Sequence, residues 1–499
     1  MTRDKRKKRK DHAGKKAVVK SQKASKQASK AERKDARLNA RDSEDEEDIE
    51  LLLKQFEEQD RKANMVSEET AAPPPSPRAN ASFVASPLSN TVCYLFGGEH
   101  YNGSKLRVFN DLYKYRMDKK DWRKITCALT PGPRSGHQTV ALTNGKLVLF
   151  GGEYASATQN QFHHWKDCWI FDLKENKWEK LDIATPAARS GHRMTVWKNF
   201  VVLFGGFYDN YKTTKYYDDL WLFDTTAYTW TKVETSSTSS KPSARSGFQF
   251  FTHNDTCYVY GGYCKKQLEG EREKGVVYSD MWALQMSTDP TALKWERVKK
   301  AGAAPPPRAG CAISVHKNRA VLFGGVEDED EDEDKGGGAG DDASVCQNDM
   351  YNFALETKKW FPYAVKKPKT NEPEPATLPA TPTGKTKATE PQFDPNLPHP
   401  RYNAMLAVQK NTLLMYGGLF ERRKEEHTLD DLWSFNLDKQ GPWECLQRGA
   451  WERATATAAA TATGTVDHLP ATEATAAAPL ADSESDSDSE SSDSGSGSN

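Results

Sequence analysis

RSGHRMTVWKNFVVLFGGFYDNYKTTKYYDDLWLFDTTAYTWTKV, residues 189–233, reads as four short strands in a row. Met194–Val196 precedes a polar break and the apolar run Val201–Phe204, which ends in Gly205–Gly206. A polar loop then leads to Asp219–Phe223, a turn at Asp224–Ala227, and a last strand at Trp230 with Thr231–Val233. Short β-branched or aromatic runs, bounded by Gly and polar punctuation, are strand signals.

Five other stretches copy this layout. Diglycines stand at Gly97–Gly98, Gly151–Gly152, Gly205–Gly206, Gly261–Gly262, Gly324–Gly325 and Gly417–Gly418, spaced by 54, 54, 56, 63 and 93 residues. Each follows an apolar strand. Upstream of each pair stands an arginine: Arg78, Arg134, Arg189, Arg245, Arg308 and Arg401. Downstream come an aspartate with an aromatic two residues on, such as Asp219 and Trp221, and then a tryptophan. Those tryptophans are Trp122, Trp178, Trp230, Trp295, Trp360 and Trp443.

One such unit cannot bury both faces of a small sheet, whereas six arranged radially can, with only short edges left exposed. Each repeated residue then has a structural reason. The diglycine ends the second strand where positive φ and a close neighbour exclude a Cβ. The aromatics fill the wedge between sheets. The aspartate is expected to cap the turn into the third strand. Each repeat looks complete, so in-phase blades are expected, and the means of ring closure stays open.

The pattern resembles the kelch repeat, and the resemblance implies an all-β, six-bladed kelch β-propeller over residues 78–449. Blades are expected at about 78–130, 131–185, 186–240, 241–302, 303–365 and 400–449, with a low-complexity insertion at 366–399. LFGGEHYNG (95–103), FHHWKDCW (162–169), RSGHRM (189–194) and MYGGLFE (415–421) resemble the kelch domain-containing protein 4 family. So do the Lys-rich start and the Pro-rich PPPSPRANAS.

The flanks differ in chemistry from the repeats. Residues 1–41 hold 17 Lys and Arg against 4 Asp and Glu. With no periodic apolar face, the arm 1–47 is expected to be disordered, and Lys5–Arg41 suits nuclear import or contact with nucleic acid or another polyanion. No aromatics interleave there, so base stacking has no support. Ile49, Leu52, Leu53 and Phe56 predict a short amphipathic helix at 48–63, and a Pro-rich linker follows at 64–77. The tail 450–499 turns from Ala/Thr to an acidic Ser-rich run and is expected to be disordered. Ser43, Ser483, Ser485 and Ser487 each have an acid three residues on, which suits acidophilic kinases.

Two insertions extend the loops between second and third strands: a charged one at Lys265–Val277, and eight consecutive acids at Glu327–Asp334. The acidic run is read first as a solvated loop, although a basic peptide or the chain's own head suits it. The eight cysteines form no CxxC pair and read as buried thiols of an intracellular, cytoplasmic or nuclear protein. No apolar run is long enough for a membrane helix.

No catalytic constellation stands out, and neither a metal nor a cofactor is expected. His137 and His192 occupy equivalent repeat positions, which the fold explains more economically than ligation. Some kelch propellers are copper or iron enzymes, but neither pattern is visible. The resemblance implies that the Arg-x-Gly segments lie near a channel mouth, where some relatives grip acidic peptides. The matching positions are Arg134, Ser135, Arg189, Ser190, Arg245, Ser246, Arg308 and Arg401, although a residue in every blade is first a blade requirement. Loop aromatics not shared by all blades, Tyr208, Tyr211, His163 and Trp165, are further contact candidates. The leading expectation is a non-enzymatic, monomeric scaffold that binds a protein or peptide through its propeller loops. A nuclear or nucleolar factor acting on RNA or ribosome assembly through the Lys-rich arm, or a cullin-type ligase adaptor, stands behind it.

Overall fold

In the third repeat the chain runs out and back four times, through Arg193–Trp197, Phe200–Phe204, Leu220–Asp224 and Thr229–Val233. The strands pair antiparallel with Arg193 opposite Phe204, Phe204 opposite Leu220, and Leu220 opposite Val233. Pairing carries these strands a residue or two beyond the apolar runs, because the ladder uses backbone groups and not side chains. Six such sheets make up the computed structural model, an all-β, six-bladed propeller. The structure describes residues 66–210, 213–234, 240–266, 274–328, 344–365, 394–422 and 425–453. The basic arm, the expected helix at 48–63, the acidic run beyond Asp328, most of the insertion 366–399 and the tail from 454 lie outside the described residues.

The innermost strand of each blade touches the innermost strands of its neighbours, and these strands surround a central channel. Successive blades are sealed by apolar clusters. Between blades two and three, Val148, Phe150, Cys168 and Ile170 meet Met194, Val201, Leu203 and Phe223. Each repeat tryptophan packs on the aromatic that ends the second strand of the preceding blade. Trp178 lies 5.2 Å from Phe96, Trp230 5.3 Å from Phe150, and Trp295 5.3 Å from Phe204. Tilted ring pairs of this kind add about 0.5–1.5 kcal/mol beyond area burial.

At the end of the second strand the next blade comes close. The Gly152 amide donates to the Arg189 carbonyl at 2.9 Å, and a Cβ on Gly151 would stand 2.7 Å from that same oxygen. Both glycines also have φ near +69 and +94. Two independent constraints thus exclude other residues there.

The connection after each diglycine is not a plain loop. It folds as a ribbon in every blade: Glu99–Tyr101 with Leu106–Val108, Glu153–Ala155 with Phe162–His164, Phe207–Asp209 with Thr214–Tyr216, and Tyr263–Lys266 with Lys274–Val277. In blades five and six the ribbon is continuous with the main strands, through Arg319–Asp328 with Ser344–Ala354 and Thr412–Arg422 with Glu425–Asn436.

The ring closes by packing between complete blades. Phe83, Tyr115 and Trp122 of blade one meet Met405, Leu414 and Tyr416 of blade six. Gln409 Nε2 donates to the carbonyls of Ser86, Ser89 and Val92 at 2.8–3.0 Å. Residues 64–77 are not simply a linker. Val66–Ala72 forms a fifth, outermost strand on blade one, antiparallel to Asp121–Cys127. Glu68 fixes it there through Arg123 at 2.9 Å and Lys114 at 3.4 Å.

Candidate functional site

Every repeat opens on an arginine, and all six are buried with at most 2% of their surface exposed. In blades two to six the guanidinium grips the aspartate that precedes the third strand. Arg189 donates to Asp219 from Nη1 and Nη2 at 2.6 and 2.9 Å, and from Nη1 to the Gly205 carbonyl at 3.1 Å. The same fork joins Arg134 to Asp167, Arg245 to Asp280, Arg308 to Asp349 and Arg401 to Asp431. A ring two residues before the aspartate covers the guanidinium: Trp165 at 4.7 Å over Arg134, Tyr217 at 4.1 Å over Arg189, Tyr278 at 4.1 Å over Arg245. In blades two, three, four and six a tryptophan two residues after it donates to the carboxylate, as Trp221 Nε1 does to Asp219 at 2.8 Å. Burial pushes the Asp219 carboxyl up, but the bonds and charge of Arg189 outweigh it and hold the group below its usual range. The aspartate oxygens, expected to cap a turn, are instead taken by arginine and tryptophan. Blade one departs from the rule: Arg78 lies 3.8 Å from Asp111, which pairs with Lys124 at 2.8 Å.

These contacts relocate most of the residues that the sequence marks for partner binding. Arg134, Arg189, Arg245, Arg308 and Arg401 lie inside the blades, their guanidinium groups shared between aspartate and carbonyl, so they do not form an open ring of cations. Ser135 is buried and donates to Glu99 at 2.9 Å, Ser246 is buried and donates to the Tyr263 carbonyl at 3.4 Å, and Ser190 is buried. Trp165 covers Arg134 and donates to the Pro133 carbonyl at 3.2 Å. His137 and His192 are buried edge-on to Phe96 and Phe150, and burial pushes His137 down to about 3. Among the described residues, no group of three or more His, Cys, Asp or Glu is placed to hold a metal ion.

His163 and Tyr208 remain accessible, and Tyr211 lies outside the described residues. Beside them stand two aromatics that the repeat pattern does not single out. Tyr154 is 38% exposed and Phe162 42%, against 36% for Tyr208. All three sit on the ribbons of blades two and three, with Tyr154 directly opposite His163. Tyr154 and Phe162 stand on successive rungs of one ribbon and so on its two faces, and both are exposed.

The ribbons start at one end of the channel. There the residue after each diglycine pairs with the residue inside the Arg-x-Gly segment: Ala79 with Glu99, Ser135 with Glu153, Ser190 with Phe207, Tyr402 with Leu419. A cavity of about 400 Å³ opens among Glu99, Glu153, Glu426, Leu106, Gln159 and Phe162. Glu99 accepts from Asn80 at 2.7 Å and Ser135 at 2.9 Å, and Glu426 accepts from the Tyr402 hydroxyl. Glu153 stands 3.6 Å from His164 Nε2, which already accepts from the Asp209 amide. Burial, and then the like charge of Glu99, push the Glu153 carboxyl up to about 8. The mouth therefore combines carboxyl groups with exposed aromatic rings, and its acidity responds to charge brought near it.

Residues 45–262 match the model of the KLHDC2/KLHL20/DRC7 Kelch-repeats domain. An F-box/kelch-repeat protein of Arabidopsis thaliana is 29% identical over 231 residues, 42% of this chain and 44% of that protein. Kelch domain-containing protein 3 of Rattus norvegicus is 25% identical over 257 residues, 48% of this chain and 59% of that protein. The chain thus spans less than two thirds of these relatives' lengths. A solved structure titled "Structure of YjhT" superposes with a TM-score of 0.50 at 16% identity, covering 75% of this chain and all of that one, which speaks to fold alone. Repeat pattern, blade geometry and family match agree that the chain carries a kelch-repeat domain folded as a six-bladed β-propeller.

Proposed function

We propose that this propeller is a non-enzymatic interaction scaffold that binds a protein or peptide on its ribbon face. The observation that carries the reading is that exposed Phe162 lines the acidic cavity of the channel mouth, with exposed Tyr154 on the same ribbon and exposed Tyr208 on the next. Aromatic anchors next to a cavity are the usual centre of a binding surface. A rigid ring of sheets with variable ribbons also separates the part that folds from the part that recognises. LFGGEHYNG and MYGGLFE, on which the likeness to the kelch domain-containing protein 4 family rests, both run into ribbons of this face. The acidic groups favour partners with lysine or arginine at the contact.

The test is affinity purification of the intact protein against a Tyr154→Ala/Phe162→Ala/Tyr208→Ala variant. These side chains are exposed, so the variant is expected to unfold within a few degrees of the parent. Loss of the co-purifying partners from a folded variant supports the reading. An unchanged partner set sinks it.

A further inference from the structure

Behind the mouth the channel holds a cation that no acid among the described residues neutralises. Each innermost strand begins with one residue of an inner ring: Ser82, Gln138, Arg193, Gln249, Ala312 and Met405. They help to line a second cavity of about 190 Å³, and Arg193 is the one charged group among its lining residues, since His137 beside it is neutral. Among the described residues, the guanidinium makes a single hydrogen bond, from Nη1 to the neighbouring His192 carbonyl at 3.2 Å, and no carboxylate lies within ion-pair distance. A guanidinium offers five donors. Burial pushes its pKa down to about 10, opposed by the Cys311 thiol and by no carboxylate.

Two comparisons within the molecule sharpen this. Arg193 is partly buried; the repeat arginines of blades two to six are buried more deeply, and each has a carboxylate in its fork. At the ring position itself, Gln249 ties blade four to blade five, donating to the Cys311 carbonyl at 2.7 Å and accepting from the Ile313 amide at 3.1 Å. Arg193 makes no such tie. With one of its five donors used, Arg193 turns the free edge of a partly buried guanidinium to the cavity that it lines. We propose that Arg193, with the amide groups of Gln138 and Asn403 that line the same cavity, binds a small oxyanion, a phosphate or a carboxylate. Two of its oxygens would take the free edge of the guanidinium, the geometry for which arginine is suited. This site is independent of the ribbon face and stands or falls apart from it.

The test compares the full chain with Arg193→Gln, the residue that blades two and four already carry at this position. Thermal unfolding and titration calorimetry are run with inorganic phosphate, with acetate, and with chloride at matched ionic strength. The parent is expected to gain stability in proportion to the logarithm of phosphate or acetate concentration. Arg193→Gln is expected to respond to none of them beyond chloride. Equal responses in the two proteins, or chloride acting as well as the oxyanions, overturn the proposal. Crystals of the parent soaked in arsenate give a readout that needs no variant: an anomalous peak at hydrogen-bond distance from Arg193 supports the site, and an empty cavity overturns it.

Discussion

Glu153 is partly buried in the channel mouth, and desolvation with the like charge of Glu99 pushes its carboxyl up to about 8. In the unfolded chain a glutamate titrates near its ordinary value of about 4.3. The folded protein therefore holds an extra proton between those limits, and stability falls as pH rises through that window. Glu153→Gln removes the effect. It is expected to unfold several degrees higher than the parent at pH 9, with the gain shrinking towards pH 5; parallel melting curves across this range would contradict it. The arginine clamp gives a second residue-scale prediction. Asp219→Ala leaves Arg189 buried without its counter-charge, at a cost of about 3–5 kcal/mol. Asp111→Ala in blade one is expected to cost less than about 1.5 kcal/mol, because Arg78 is 3.8 Å away and Asp111 faces the more exposed Lys124. Urea titration of the two variants measures the contrast, and equal losses would show that the clamp is not the source. That arginine and aspartate recur was plain in the sequence. That they bind each other was not, since Arg189 and Asp219 are 30 residues apart and the fork exists only once the blade has formed.

Among elements, the diglycines and the tryptophans were readable because geometry forces the same residue type at every turn of the ring. The ribbons were less so. Tyr208–Tyr217 looked like a polar loop because Asp209, Asn210 and the threonines break any apolar alternation, yet Phe207 pairs with Tyr216 and continues the blade outward. Val66–Ala72 resembles a linker for a similar reason: VSEETAA has no apolar face, as suits an edge strand held by backbone bonds and charge. Its attachment rests on Glu68 between Lys114 and Arg123. Glu68→Arg sets three cations together and is expected to loosen the strand. Amide exchange along Val66–Ala72 should then quicken about tenfold, a loss of roughly 1.4 kcal/mol locally, with the inner strands of blade one unaffected. Unchanged exchange would place the strand's stability in its backbone ladder alone.

For the molecule as a whole, repetition makes the fold legible and says little about the proposed binding surface. Residues present in every blade, above all the arginines, are the parts that build the ring. The surface that differs between blades is where recognition has room to evolve, and the exposed rings of blades two and three belong to it. The two ends of the channel are distinguishable by experiment. The ribbons carry Tyr208 at one end, while the turn between the third and fourth strands presents exposed Thr226 at the other. A photo-crosslinking amino acid placed at Tyr208 or at Thr226 of the intact protein, in cells that contain its partners, reports which end is occupied. Partner adducts from position 208 and none from position 226 are the predicted result; adducts from position 226 alone would contradict the ribbon face as the site of binding.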